Sequence, residues 1–315
     1  MEAFISAIPN EKRWIFEQTM NDINDHFDGV LRFKETEWKG HRFLPGFEAE
    51  TAKYAYEKLE VEQNSVFLAS FPKTGVNWTS AIVSQLLYGP NGLGMFPPLE
   101  KMELVKASKF QLLEYLPVHP KCFQTHLPEN LVNVAKIKKS GGKIIVILRN
   151  PKDQAVSWYH FCSKSGPFDN ARYAFSLDWP QFSSDYIQGK QLTFMKDGDC
   201  YAEHILGWYK HKDEDNVMFI YYEDMKRDTK QEIRRLAKFL NVEVDDKRVE
   251  EIENATTFSV MKQTSHPNLS KINLFRKGEV GNWKQLMTVA QSELMDKLIE
   301  NKLGHTDIKF VYELK

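Results

Sequence analysis

The chain has 315 residues and a mass of 36.8 kDa, enough for two average domains or one large α/β domain; its 42% hydrophobic and 27% charged residues exclude disordered, collagen-like and membrane classes. The formal net charge is −1, so no overall basic field draws the protein to nucleic acid, and any anion site must be local. No solenoid repeat, low-complexity linker or composition shift marks a boundary, which predicts a single domain over residues 1–315, its first ~30 residues forming an extension.

In chain order, the N-terminal MEAFISAIPNEKRW mixes acidic and basic residues where a secretory leader needs an apolar run of about 7 to 15. Beyond it, short β-branched and aliphatic runs are each followed by a turn and a helical pattern, the signature of a parallel sheet. Ser65 to Ser70 predicts a strand, Phe71 to Gly75 a loop, and Trp78 to Tyr88 a helix with Ile82, Val83, Leu86 and Leu87 at helical spacing, stopped by Gly89-Pro90-Asn91-Gly92. A short strand ends at Thr125-His126, bracketed by Pro120 and Pro128. Lys143 to Leu148 is almost wholly apolar, as in a strand covered on both faces, and Arg149-Asn150-Pro151 then turns into a helix carrying Ala155, Val156, Trp158 and Tyr159. Its aliphatic run, Ile144 to Leu148, is far below the ~20 residues of a membrane helix. Val217 to Tyr222 predicts another strand, with Arg234 to Leu240 in the helix after it. Residues 253–284 show little periodicity and predict a long irregular stretch, which in a compact domain is more often functional than idle. Together these elements predict an α/β fold: a central, mainly parallel sheet flanked by helices. Cys122, Cys162 and Cys200, none of them in a CxxC, give neither a complete disulfide set nor a metal site and fit the reducing cytosol.

Ligands of open α/β sheets bind outside the carboxyl ends of the strands, so polar residues just after each strand are the candidates. Phe71-Pro-Lys-Thr-Gly-Val-Asn-Trp78 is P-loop-like: Gly75 permits close backbone approach, Lys73 and Thr74 offer a charge and a hydroxyl, and the next helix presents free N–H groups to an anion. Walker A order is absent, because Lys73 precedes Gly75; the alternative is an ordinary turn with a solvated lysine. Arg149 stands at a strand end with Ser157 on the helix behind it, a fork and a hydroxyl that suit phosphate, or else an arginine paired with Asp153. Arg276-Lys277-Gly278 sets two more cations beside a glycine in irregular chain, and three separate cationic points are hard to explain as solvated faces. His126 is a candidate general base or a structural histidine; no second histidine or carboxylate stands with it at metal spacing, and no metal is expected.

In these residues and in their order, the chain resembles the cytosolic, PAPS-dependent sulfotransferases, over a span from Arg32-Phe33 and Leu44-Pro45-Gly46 to Trp283-Lys284. Phe71 to Trp78 resembles the family's 5′-phosphosulfate loop, Arg149 to Ser157 its 3′-phosphate site, and Phe275-Arg-Lys-Gly-Glu-Val-Gly-Asn-Trp-Lys284 its RKGxxGDWK segment. Tyr222, Thr256 and Phe258 match further nucleotide positions, and His126 in Gln-Thr-His-Leu-Pro128 matches the catalytic base. The resemblance implies transfer of a sulfuryl group from 3′-phosphoadenosine 5′-phosphosulfate (PAPS) to a hydroxyl, or an amine, of a small, largely apolar acceptor, releasing PAP without a metal. It implies that Lys73, Thr74, Gly75, Val76, Asn77, Trp78, Arg149, Ser157, Tyr222, Thr256, Phe258, Phe275, Arg276, Lys277 and Gly278 hold the nucleotide. Lys73 would neutralise the leaving phosphate, and Ser157 would restrain Lys73 until acceptor binds. The acceptor pocket is expected from the aromatic-rich segments Phe96 to Tyr115 and Cys162 to Phe182. The chain departs from the family at Val76 and Asn77, where two threonines are usual, at Gln124 for a lysine, and at Asn282 for an aspartate, changes that bear on donor activation more than on donor binding. Lys284 to Glu293 resembles the family's KxxxTVxxxE motif, which implies a cytoplasmic homodimer through Lys284, Thr288, Val289 and Glu293, with no nucleic-acid or membrane partner. Two other readings are a P-loop small-molecule phosphotransferase, disfavoured by the missing Walker A order, and a non-enzymatic PAP-binding protein, against which the retained Lys73 and His126 argue.

Overall fold

The computed structural model describes residues 2–27, 35–44, 47–90, 101–116, 118–164, 178–190, 193–264 and 275–314. A short antiparallel hairpin, β1 (Thr36–Trp38) with β2 (His41–Phe43), precedes four strands: β3 (Val66–Ser70), β4 (Cys122–Thr125), β5 (Lys143–Leu148) and β6 (Val217–Tyr221). These four pair in parallel, in the order β4-β3-β5-β6. Successive residues of a strand face opposite sides of the sheet, and here both sides are covered. Phe67, Ala69, Ile144, Val146 and Leu148 join one apolar cluster, whereas Val66, Leu68, Ile145, Ile147 and Ile220 join the other. That double burial is why β5 reads KIIVIL with no polar residue after Lys143.

The helices Val76–Tyr88, Thr229–Leu240 and Asp246–Ala255 cover the second cluster with Ile82, Val83, Leu86, Ile233, Leu236, Leu240, Val249 and Ile252. In Thr229–Leu240, Ile233, Leu236, Ala237 and Leu240 make one apolar stripe; the Asp228 side chain caps its start by accepting from the Gln231 N–H at 2.9 Å, and Asn241 ends it at φ 59°. On the other face, Trp158, Ile205 and Trp208 lie in the first cluster together with Phe4, Ile8, Ile15 and Ile23. The three cysteines are buried thiols outside any disulfide.

Each strand expected from sequence is present within a residue or two of its predicted ends. The irregular stretch expected over 253–284 is found only in part, at residues 275–281 among the described residues. Asp246–Ala255 and Phe258–Thr264 are α-helices and Asn282–Gln285 is a 3-10 turn; residues 265–274 lie outside the described residues. The helical signal is weak there because Asp246–Ala255 buries only Val249 and Ile252, and Phe258–Thr264 buries nothing. Local capping supplies what periodicity does not: the Asp245 side chain accepts from the Arg248 N–H at 2.7 Å.

After β3 the chain leaves toward β4, and after β5 toward β6. The connections therefore diverge between the adjacent strands β3 and β5, and the crevice for a ligand opens at their carboxyl ends. Glu223, just past β6, braces that edge. It is 1% exposed, and its Oε1 accepts from both the backbone N–H and the Nδ2 of Asn150, each at 2.9 Å, while among the described residues Oε2 has no partner. Burial raises the Glu223 carboxyl from the ordinary 4.5 to about 7. The unfolded chain releases this proton near 4.5 and the folded chain near 7, so stability falls as pH rises through that window. The isosteric Glu223→Gln variant lacks this titration. In urea unfolding, wild type minus variant stability is expected to drop by about 3 kcal/mol between pH 4 and pH 8; a difference that does not change with pH would contradict the assignment.

Candidate functional site

The loop after β3 is shaped by two residues of positive φ, Lys73 at 69° and Gly75 at 115°. Gly75 is required twice over: a Cβ there would sit 2.8 Å from the Tyr222 ring. The Thr74 hydroxyl donates to the Phe71 carbonyl at 2.9 Å and is fully buried, so it closes the loop rather than facing the crevice as the sequence suggested. Val76 points into the core and brings only its backbone N–H; Asn77 and Trp78 are half-buried on the first turn of Val76–Tyr88, a helix whose start carries no side-chain cap. The Trp78 indole packs edge-on against Tyr222 at 5.6 Å, and its buried Nε1 has no partner among the described residues.

Arg149, at the end of β5, joins three segments. Its Nη1 donates to the Lys73 carbonyl at 3.2 Å and its Nη2 to the Glu279 carbonyl at 3.1 Å; its guanidinium stacks over Tyr222 at 4.4 Å. Its buried Nε is left without a partner among the described residues. Asp153 does not pair with Arg149, the alternative its nearness in sequence left open. Its carboxylate instead accepts from the backbone N–H groups of Gly281 at 2.8 Å and Trp283 at 2.9 Å, and from Asn150 Nδ2 at 2.9 Å. This clamp holds the segment Phe275 to Trp283 against the start of the helix Pro151–Lys164. Gly278 has φ 69°, and a Cβ on it would meet the Phe258 ring at 2.6 Å; Phe258 in turn packs edge-on against Phe275 at 5.9 Å.

Arg276 lies on the wall of a cavity of about 370 Å³, lined also by Val156, His160, Lys277, Asn282 and Leu286. Burial lowers the Arg276 pKa, and repulsion from Arg149 lowers it further. Burial, then Arg149, depresses the Lys73 ammonium to about 7, with Arg276 among the further contributors. Three cations thus crowd one crevice and repel one another. Lys277 is exposed and donates to Gln285 at 2.6 Å. Ser157 is half-buried one turn before Phe161, whose ring lies 4.5 Å from Lys73 Nζ. Thr256 is buried, and its hydroxyl donates to the Ile252 carbonyl at 2.8 Å, which engages its proton within its own helix.

His126, one residue past β4, is 7% exposed. Its Nδ1 lies 2.9 Å from the Ser70 carbonyl and 3.0 Å from the Ser70 hydroxyl, so Nδ1 carries the proton and Nε2 the electron pair that faces Lys101 Nζ. Burial, with Lys101 next in effect, holds the imidazole well below its ordinary 6.5. The Glu103 carboxylate accepts from the His126 backbone N–H at 3.0 Å and from the Thr125 hydroxyl at 3.1 Å, and Lys101 Nζ comes within 3.3 Å of His126 Nε2. Gln124 is buried and donates to Ser80 Oγ at 3.0 Å. Sequence reasoning missed Lys101, Glu103 and the clamp role of Asp153.

Of the segments expected to build the acceptor pocket, residues 96–100 and 165–177 lie outside the described residues, as do Arg32, Phe33, Pro45 and Gly46. Leu112, Leu113 and Phe182 are in the core. In the dimer-like motif, Val289 is 75% exposed, and Thr288 caps Val289–Leu303 by accepting from the Gln291 N–H at 3.3 Å. Lys284 pairs within the chain with Glu313 at 2.5 Å.

The signature of the family described as "Sulfotransferase domain" matches residues 63–307. Sulfotransferase 6B1 of Mus musculus is 35% identical over 264 residues, covering 82% of this chain and 83% of that protein. The amine sulfotransferase of Oryctolagus cuniculus is 30% identical over 274 residues, covering 82% of this chain and 87% of its own length. Among solved structures, mouse sulfotransferase SULT7A1 complexed with PAP superposes with a TM-score of 0.72 at 27% identity, over 87% of this chain and 96% of that one. The match takes in the loop after β3, the crevice arginine, His126 and the clamped segment alike, and the chain belongs to the sulfotransferase family of enzymes.

Proposed function

We propose that the protein binds PAPS in the crevice between β3 and β5 and transfers its sulfuryl group to a hydroxyl of a small, largely apolar acceptor, releasing PAP. One observation carries this reading. Lys73, Arg149 and Arg276 crowd together with a buried, unpartnered Arg149 Nε, an arrangement that a polyanion with two separate phosphate-bearing ends relieves. The unpartnered Trp78 Nε1 and the open N–H groups at the start of Val76–Tyr88 add donors on the same side. PAP in the mouse SULT7A1 structure supports the same nucleotide here.

In this reading Lys73, the backbone of Gly75 and Val76, and Asn77 face the phosphosulfate. Arg149, Ser157, Arg276, Lys277 and Gly278 hold the 3′-phosphate, and Trp78, Tyr222, Thr256, Phe258 and Phe275 flank the nucleoside. Metal is not needed for charge neutralisation, because lysine, arginine and backbone donors supply the positive field. The acceptor oxygen forms a bond to sulfur as the bond from sulfur to the 5′-phosphate oxygen breaks. His126 Nε2 takes the hydroxyl proton, a role open to it because its Nδ1 proton is engaged by Ser70. Lys73 then meets the charge that develops on the departing PAP. The buried polar set around His126 stands beside aromatic groups such as Phe194, at 6.2 Å, which favours an apolar acceptor with one polar end. An amine acceptor is the second reading, favoured by the similarity to the rabbit amine sulfotransferase. We further propose that residues 1–315 act as one domain in a cytoplasmic homodimer meeting through Val289 and its neighbours, where Leu294, 55% exposed, widens the apolar patch.

Assays with ³⁵S-labelled PAPS and a panel of phenols, alcohols and amines test the reaction. His126→Ala is expected to abolish transfer with PAP affinity nearly unchanged, since the base acts on the acceptor. Lys73→Ala is expected to slow transfer on the order of 10² or more and to weaken PAP binding as well. Wild-type turnover by His126→Ala would show that the base is elsewhere. The dimer rests on a patch well below the ~1,200 Å² of a standard interface, so Val289→Glu is expected to give monomers that still bind PAP. Light scattering that finds the wild-type protein monomeric at tens of micromolar, or the variant still dimeric, rejects that interface.

A further inference from the structure

The charged groups around His126 carry one step more, which rests on the reading of His126 as the proton acceptor. Lys101 and Met102 run alongside the end of β4: Lys101 bridges in parallel to Gln124, and the Met102 N–H donates to the Gln124 carbonyl at 3.0 Å. This pairing delivers the Lys101 side chain to the imidazole, with Nζ 3.3 Å from Nε2. The same segment is anchored at the lysine's own carbonyl and just beyond it. Lys109, fully buried, donates to the Lys101 carbonyl and to the Leu104 carbonyl, and Glu103, also fully buried, binds the His126 and Thr125 donors. A lysine lying loosely over the surface would need none of this.

We propose that Lys101 is a positioning residue for His126: its ammonium, fixed beside Nε2 by the pairing with Gln124, keeps the imidazole neutral with Nε2 as the atom that accepts the proton. An acceptor hydroxyl that reaches Nε2 enters beside this cation, so the oxygen loses its proton next to a positive charge. Gln124, with its amide turned to Ser80, supplies no such charge. The other ionisable groups acting on the imidazole are His204 from the helix Tyr201–Tyr209, Lys73 from the loop after β3, and Glu103 at its backbone N–H. His204 and Lys73 act in the same direction as Lys101 but follow it in effect.

The sign of the test follows from this arrangement. Loss of the neighbouring ammonium makes the imidazolium easier to form, so the base is lost to protonation at higher pH. The test is an NMR titration of ¹⁵N-histidine-labelled full-length protein, with the His126 resonance assigned through His126→Gln, alongside the pH dependence of kcat/KM. In Lys101→Met the His126 midpoint is expected to rise by on the order of one pH unit, and the acid limb of kcat/KM to move with it. Lys101→Arg, which keeps the charge, is expected to hold both near the wild-type values, with PAP affinity unchanged in either variant. A His126 midpoint that Lys101→Met leaves where it was, or a wild-type midpoint at 6.5 or above, overturns the proposal. A midpoint that moves while the acid limb stays supports the role of Lys101 and instead shows that His126 is not the base, so the two readings fail separately.

Discussion

Burial of Lys73 and Arg276 beside Arg149, with repulsion from that guanidinium second, is the constraint on which the rest of the site depends. A folded protein does not hold like charges together without cost. Arg149 is tied to carbonyl oxygens of two different segments and laid over an aromatic ring. Neutral acceptors position a guanidinium without cancelling its charge, which leaves the charge for a ligand. Asp153 is committed to the backbone N–H groups of Gly281 and Trp283, so its carboxylate assembles the site.

Sheet topology makes this crowding possible. Because β3 and β5 are neighbours from which the chain departs in opposite directions, their loops face each other across one crevice, and a third segment is folded back over it by the Asp153 clamp. Glu223, buried beside Asn150, braces the edge where β6 hands over to the next helix. On the far side of β3, β4 ends at His126, whose Nδ1 is held by Ser70 at the end of β3 itself. The loop after β3 and His126 are thus set by the ends of adjacent strands.

The sheet was legible because its strands are short, apolar and followed by turns, and because a strand buried on both faces needs an uninterrupted run such as Ile144 to Leu148. Residues of the candidate site were legible where chemistry and position coincide, as at Lys73, Arg149 and His126, each next to a strand end. At Thr74 the hydroxyl has a competing acceptor in its own tight loop, the Phe71 carbonyl, which the sequence does not report. Asp153 stands close in sequence to Arg149, yet beside Asn150 its partners are the backbone N–H groups of Gly281 and Trp283, more than a hundred residues away, which no local pattern reports. The same holds for Lys101, whose importance rests on a pairing with Gln124 that only the folded chain makes. The helices between 246 and 264 were missed because they bury too little to leave a periodic trace.

The central claim is that the crowded cations answer a nucleotide bearing phosphate at both its 3′ and 5′ positions. Calorimetry of PAP against 5′-AMP, which differ only in the 3′-phosphate, tests it most directly. Charge-assisted hydrogen bonds are worth about 1.5 to 3 kcal/mol each, so PAP is expected to bind at least ~10-fold more tightly for each bond retained. The preference should also collapse in Arg149→Ala and Arg276→Ala. Equal affinities of the wild-type protein for the two nucleotides would contradict the account.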